Sequence, residues 1–254
     1  MKRWSWIFLL LSLLSGCSSV SNTQNEDKNK DDDEFYLNEP DPLETFNRYV
    51  YSFNRILDAA VIKPVAIAYD LGTPENFKYC TRSFIKNLRG PLNMVNYLLQ
   101  GKADNSAKTT LRFILNTTFG LFGLLDFADF IGIKESTTSF NETLTVWGVE
   151  AGPYIMLPII GPTTFRGAFG YMFDWFADPV HYFAYNSKSH HNTHHQFKYW
   201  LWGITTLEII DIRASLLSSL DDIYETSADS YVTIRSMIFQ RQQKLENRLR
   251  ESSR

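Results

Sequence analysis

Cysteine is almost absent from this 254-residue chain, which has two, Cys17 and Cys80. If either is committed elsewhere, no intramolecular disulfide can form and packing alone must hold the fold. Also missing is any continuous apolar stretch of about 18 residues, which excludes a bilayer-spanning helix. Positive charge is not in excess: the formal net charge is −3 and becomes −5 if Lys2 and Arg3 leave with a cleaved leader. No basic field is present to collect nucleic acid. A Gly-Lys-Ser/Thr phosphate loop and a Gly-x-Ser-x-Gly elbow are absent, so the chain brings neither nucleotide energy nor a hydrolase nucleophile, and no cofactor is expected. Hydrophobic residues, in contrast, make up 44% of the chain and aromatics 15%, against 21% charged. That excludes global disorder and favours a surface where water meets hydrocarbon.

Residues 1–16 read as a signal peptide, with Lys2 and Arg3 before a short apolar run, Trp4 to Leu14, about half the length needed to cross a bilayer. The run ends in Leu14-Ser15-Gly16-Cys17, which looks like a bacterial lipobox: the Cys17 thiol receives diacylglycerol and the leader is cut before it. Several acyl chains on one cysteine, at about 0.8 kcal/mol per buried methylene, suffice for lasting attachment. Ser18, rather than an aspartate, follows the anchor, and by resemblance to the enteric sorting rule this favours the outer membrane. In residues 18–40, Asp and Glu outnumber Lys by 7 to 2. With Cys17 they read as a disordered acidic tether, 17–40, with a reach of roughly 25 Å.

From Asp41 the signals are helical. Asp41 suits a cap and Pro42 a first helical position, and Leu43, Phe46, Val50, Phe53 and Leu57 recur at helical spacing, predicting a helix that ends before Pro64. Thr73-Pro74-Glu75 starts another, with Phe77, Cys80, Phe84 and Leu88 on one face and Cys80 expected as a buried structural thiol. Pro91 to Gln100 is a third, closed by Gly101. Asp104 is expected to cap a fourth, and Ser139 with Glu142 forms a capping box. Strand-like alternation is scarce, so the fold class is mainly α. Two stretches, 119–133 and 151–165, are nearly free of charge and broken by Gly and Pro. They fit helices and bends within one leaflet, with core elements of a soluble domain as the lesser alternative.

Asn93, Asn96 and Gln100 share one helical face, which suits a polar lumen or periplasmic water alike. Asn47 and Asn54, seven apart, form a similar stripe that orders a channel rim or bonds neighbouring backbone. Gly120 and Gly123 fit a gating hinge or close packing. His190, His191, His194 and His195 form pairs four apart, as a metal helix would, yet no Glu accompanies them. An exposed loop or helix start is the plainer reading.

The chain also carries Asp41-Pro42-Leu43-Glu44 with Phe46-Asn47-Arg48, Lys63-Pro64-Val65-Ala66, Asn93 to Gly101, Trp147-Gly148-Val149, Gly152-Pro153-Tyr154, Leu157-Pro158 and Gly161-Pro162 with Arg166. In this order they resemble the VacJ/MlaA outer-membrane lipoproteins across about residues 41–245, leaving 246–254 as a flexible tail. The sequence departs from that pattern at Gly167, where an acidic residue usually follows Arg166, removing a local ion pair. The resemblance implies a single ring-like helical domain with interfacial membrane helices and a central amphipathic channel, anchored in the inner leaflet of the outer membrane. It implies no enzyme but a conduit, removing mislocalised phospholipids from the outer leaflet and passing them to a periplasmic lipid carrier (MlaC-like), with trimeric porins as companions. A structural envelope lipoprotein and a histidine-cluster metal hydrolase are the alternatives.

Overall fold

The computed structural model describes residues 41–178 and 193–252, with side chains for 41–178 and 199–250. The leader, Cys17, the tether and the side chains of His190, His191, His194 and His195 lie outside the described residues.

The Asp41 carboxylate accepts the Leu43 N–H (3.0 Å), turning the chain into α1, Glu44–Leu57. The helix thus starts after Leu43 and not at Pro42, because Asp41 caps the preceding turn. Nor does the helical run stop before Pro64. It widens into a π turn over Asp58–Ile62 and continues as α2, Lys63–Gly72, with Pro64 in its first turn. Irregular hydrogen bonding at that point accommodates the N–H that proline lacks.

Pro74 precedes α3, Glu75–Leu88, and α4, Gly90–Leu99, stops at Gly101, whose φ of +74° suits a residue without Cβ. In α5, Ala103–Thr118, Asp104 is not the cap. It stands in the first turn, where its charge complements the helix dipole. After the short α6, Phe127–Phe130, the Ser139 hydroxyl accepts the Glu142 N–H (3.4 Å) and begins α7, Phe140–Val146, as predicted.

Residues 151–165, expected as helices and bends, instead contain an antiparallel hairpin. Tyr154–Leu157 (β1) pairs with Gly161–Thr164 (β2), Tyr154 opposite Thr164 and Leu157 opposite Gly161. Pro158 and Pro162 bar a helix there. Then follow α8, Phe165–Ala177, capped by Thr164, and α9, Thr193–Ser215, α10, Leu217–Thr226, and α11, Ser230–Ser252. Helices dominate, and no helix among the described residues is long and apolar enough to cross a membrane.

Packing closes on itself within residues 36–254. α1 lies on β1, β1 on α8, α8 on α7, α7 on α4, α4 on α5, α5 on α3, α3 on α9 and α9 on α2, which returns through the π turn to α1. α11 braces α7 and β2. The hydrophobic core is small: Tyr154, Met156 and Tyr231, with Val50, Tyr51 and Phe239 against them.

Candidate lipid-facing site

The partition of side chains is inverted. Among the described residues, nineteen of the buried side chains named by type are polar or charged and twelve hydrophobic, while Leu71, Phe122 and Phe130 are 83%, 76% and 86% exposed. Helix α5 buries Ser106, Thr109, Arg112 and Asn116 and turns Leu111 and Ile114 outward. Helix α3 likewise buries Lys78, Thr81, Ser83 and Asn87, leaving Phe77 exposed. Cys80 is therefore half-exposed rather than the buried thiol expected. The apolar stripes are where the spacing put them, but that of α5 turns outward and that of α3 is only half-buried, with Phe84 against Trp200 of α9. Burying a large apolar side chain yields about 1.5–3 kcal/mol, so this many exposed large apolar side chains are poorly suited to water. Hydrocarbon reverses the preference: polar groups turn inward and pair with one another.

Polar side chains accordingly do the joining. Asn47, fully buried on α1, donates to the Tyr154 carbonyl (3.2 Å) and accepts the Met156 N–H (2.9 Å). Two turns on, Asn54 donates to the Leu157 carbonyl (2.9 Å) and accepts the Ile159 N–H (2.8 Å). The two amides thus hold β1 and its turn much as a third strand would. Asp41 supports Asn47 (3.1 Å) and accepts the hydroxyl of Tyr231.

Asn96 on α4 and Gln100 at its C-terminal cap turn toward α7 and α8. Asn96 donates to Asp174 (3.1 Å), Thr143 donates to Asn96 (3.1 Å), and Gln100 donates to Thr138 (2.7 Å) and Thr143 (3.1 Å). Asn93 is half-buried on the same helix. Asp174 also accepts the Phe140 N–H (3.0 Å). Burial raises its carboxyl above the ordinary value, although the Phe140 and Asn96 donors draw it back. Thr143 and Asp174 escaped the sequence reading. The available signal was Asp174 as the sole charge of residues 167–177.

The 119–133 segment is pinned at its base. Asp126 accepts Arg112 (2.6 Å) and Asn116 (3.0 Å), Asn116 accepts the Ala128 N–H (2.8 Å), and Arg112 also donates to the Ile133 carbonyl. Burial pushes the Asp126 carboxyl up, but the Asp129 amide, Arg112 and Asn116 more than offset it and hold it below the ordinary value. Gly123 has φ +93°, and a Cβ there would stand 2.5 Å from the Asn87 amide; one on Gly120 would stand 2.2 Å from the Leu125 carbonyl. From this base Phe119, Leu121, Phe122 and Phe130 project outward, Leu121 and Phe122 both at positive φ.

Arg166, almost wholly buried, pairs with Glu246 (3.1 Å) and binds Gln242 (2.9 Å) and the Val149 carbonyl (2.6 Å). The C-terminal helix thus supplies the acid that is missing at Gly167, and it runs on to Ser252, past the point where a flexible tail was predicted. No group of His, Cys, Asp and Glu among the described residues is arranged to hold a metal.

Comparison with known proteins gives a consistent result. The family described as MlaA lipoprotein matches residues 39–245. The intermembrane phospholipid transport system lipoprotein MlaA of Escherichia coli (strain K12) is 34% identical over 96% of this chain and 89% of its own length. An uncharacterised protein of Rickettsia prowazekii (strain Madrid E) is 37% identical over 78% of this chain and 74% of its own. A chain solved in work on the structural basis for maintenance of bacterial outer membrane lipid asymmetry aligns with a TM-score of 0.68 and 32% identity, covering 82% of this chain and all of that one.

Proposed function

Because the chain belongs to the MlaA lipoprotein family, we propose that it is an envelope lipoprotein of intermembrane phospholipid transport, maintaining outer-membrane lipid asymmetry. It takes mislocalised phospholipids from the outer leaflet through an amphipathic channel within the ring of helices to a periplasmic carrier. Cys17 anchors it in the periplasmic leaflet beside trimeric porins. It acts as a passive conduit and not as an enzyme, because its task is to shield a headgroup across hydrocarbon, where a bare charge costs several kcal/mol or more. Asn47, Asn54, Asn93, Asn96 and Gln100 frame the lipid path, the first two by holding the hairpin. Gly120 and Gly123 bound the segment that closes it.

The observation that carries this reading is the inverted partition, with polar joints such as Asn47, Asn96 and Thr143 buried and bulky apolar residues bare. Cells lacking the protein should expose more phospholipid to an added phospholipase. The wild-type chain should reverse this, and Cys17→Ala should not. Unchanged surface phospholipid in its absence would overturn the proposal.

A further inference from the structure

Helices α3 and α9 pack with a slot between them. Phe77, Cys80 and Phe84 face Trp200, Ile204 and Leu207 across a cavity of about 380 Å³, and Leu124 adds a third wall. Phe84 meets Trp200 edge-on, ring centres 6.1 Å apart. Thr81 brings the only hydroxyl to the lining. Two ion pairs reach α9 from α3 and from the residue that follows it: Arg82 to Asp211 (2.7 Å) and Arg89 to Glu208 (2.8 Å). Both acids are largely buried, but the arginine side chains remain 41% and 56% exposed. A guanidinium has five N–H donors in a fork suited to phosphate, and among the described residues each ion pair engages one nitrogen.

The size and chemistry of the slot select its occupant. A helix, about 10–12 Å across with its side chains, takes roughly 400 Å³ for each 5.4 Å turn, more than the slot holds. An extended peptide would leave its N–H and C=O groups against a wall that offers almost no partners. A hydrocarbon chain has no such groups, and the cavity lies within the size range of small-molecule sites. We infer that the α3–α9 slot holds one acyl chain of a phospholipid, its phosphate lying against the half-exposed guanidiniums of Arg82 and Arg89. This rests on the conduit reading and names a place where a lipid pauses on the way.

Cys80 provides a reporter inside the slot. Full-length protein in detergent, washed free of co-purified lipid, is alkylated with N-ethylmaleimide, and the Cys80 peptide is followed by mass spectrometry with no addition, with dioleoylphosphatidylglycerol, and with inorganic phosphate. The phospholipid should slow alkylation several-fold, phosphate should not, and Arg89→Gln should weaken the protection. Cys80→Trp, which fills the slot, should reduce co-isolated phospholipid relative to Cys80→Ser. Protein that carries phospholipid as isolated, yet after its lipid is washed out shows equal alkylation with and without added lipid, would overturn the slot alone. Slowing by phosphate alone would show an anion site without a tail and also overturn it. Wild-type protein that carries no phospholipid would remove the conduit reading and the slot together. Should Cys80→Trp fail to fold, the alkylation of the unaltered chain still decides.

Discussion

Arg213 on α9 grips Asp58 with two parallel bonds, Nε to Oδ1 at 2.8 Å and Nη2 to Oδ2 at 3.1 Å, at the π turn where α1 passes into α2. Both side chains are shielded, 7% and 15% exposed. The pair ties the second half of the chain back to its beginning and helps close the circuit of helices. Asp58→Ala strands a buried guanidinium, a loss of about 3–5 kcal/mol, toward the lower end because Asp221 stands 3.6 Å from Arg213. Thermal unfolding in detergent should show this drop, and adding Arg213→Met should restore much of it.

The asparagines on α1 predict an ordered pair of effects. Asn47→Ala leaves the Met156 N–H and the Tyr154 carbonyl without their side-chain partner in a fully buried site, at about 1–3 kcal/mol for each unpaired group. Asn54→Ala should cost less, because its bond to Ile159 is exposed to solvent. Limited proteolysis at the Pro158 turn should rise in both variants and most in Asn47→Ala.

Gly123→Ala tests the base of the 119–133 segment. At φ +93° and with Asn87 2.5 Å from the new Cβ, the substitution should cost about 1–3 kcal/mol in backbone strain alone. Asn87→Ser takes away the amide but keeps a Cβ 2.6 Å from the new methyl, so it relieves the clash only in part and the backbone strain not at all. The double variant should therefore recover only part of the loss on melting.

Acid should loosen the same segment. The Asp126 carboxyl is held below its ordinary 3.8 in the folded chain, so on acidification the unfolded state takes up the proton first. The stabilisation is complete above pH 4 or so and disappears as pH falls through the folded value. Hydrogen exchange at Ala128 and Asp129 should rise in that window. In Asp126→Asn it should be high already at neutral pH and insensitive to acid.

Some helix boundaries were legible because their causes are local: Pro74 before α3, Ser139 at α7 and Gly101 after α4 act within a turn of themselves, whereas the starts read at Pro42 and Asp104 were displaced by one or two residues. The hairpin was not legible, since part of its support comes from Asn47 and Asn54, roughly a hundred residues away. The direction of the amphipathic faces was hidden for a different reason. Spacing shows that Phe77, Cys80 and Phe84 share a face, but the same spacing serves a helix whose apolar stripe meets a core and one whose stripe meets lipid. Only the buried polar side chains, such as Ser83 and Asn87 on the same helix, reveal which side is inside. The asparagine stripes were found by spacing, while their partners Thr143 and Asp174 came only with the fold.

The central claim is that this inside-out arrangement of helices carries phospholipid. Full-length protein extracted and purified in a mild detergent should retain glycerophospholipid in an amount comparable to the protein itself, quantified by mass spectrometry of the organic extract. A preparation that is folded and membrane-derived yet free of glycerophospholipid would contradict the account.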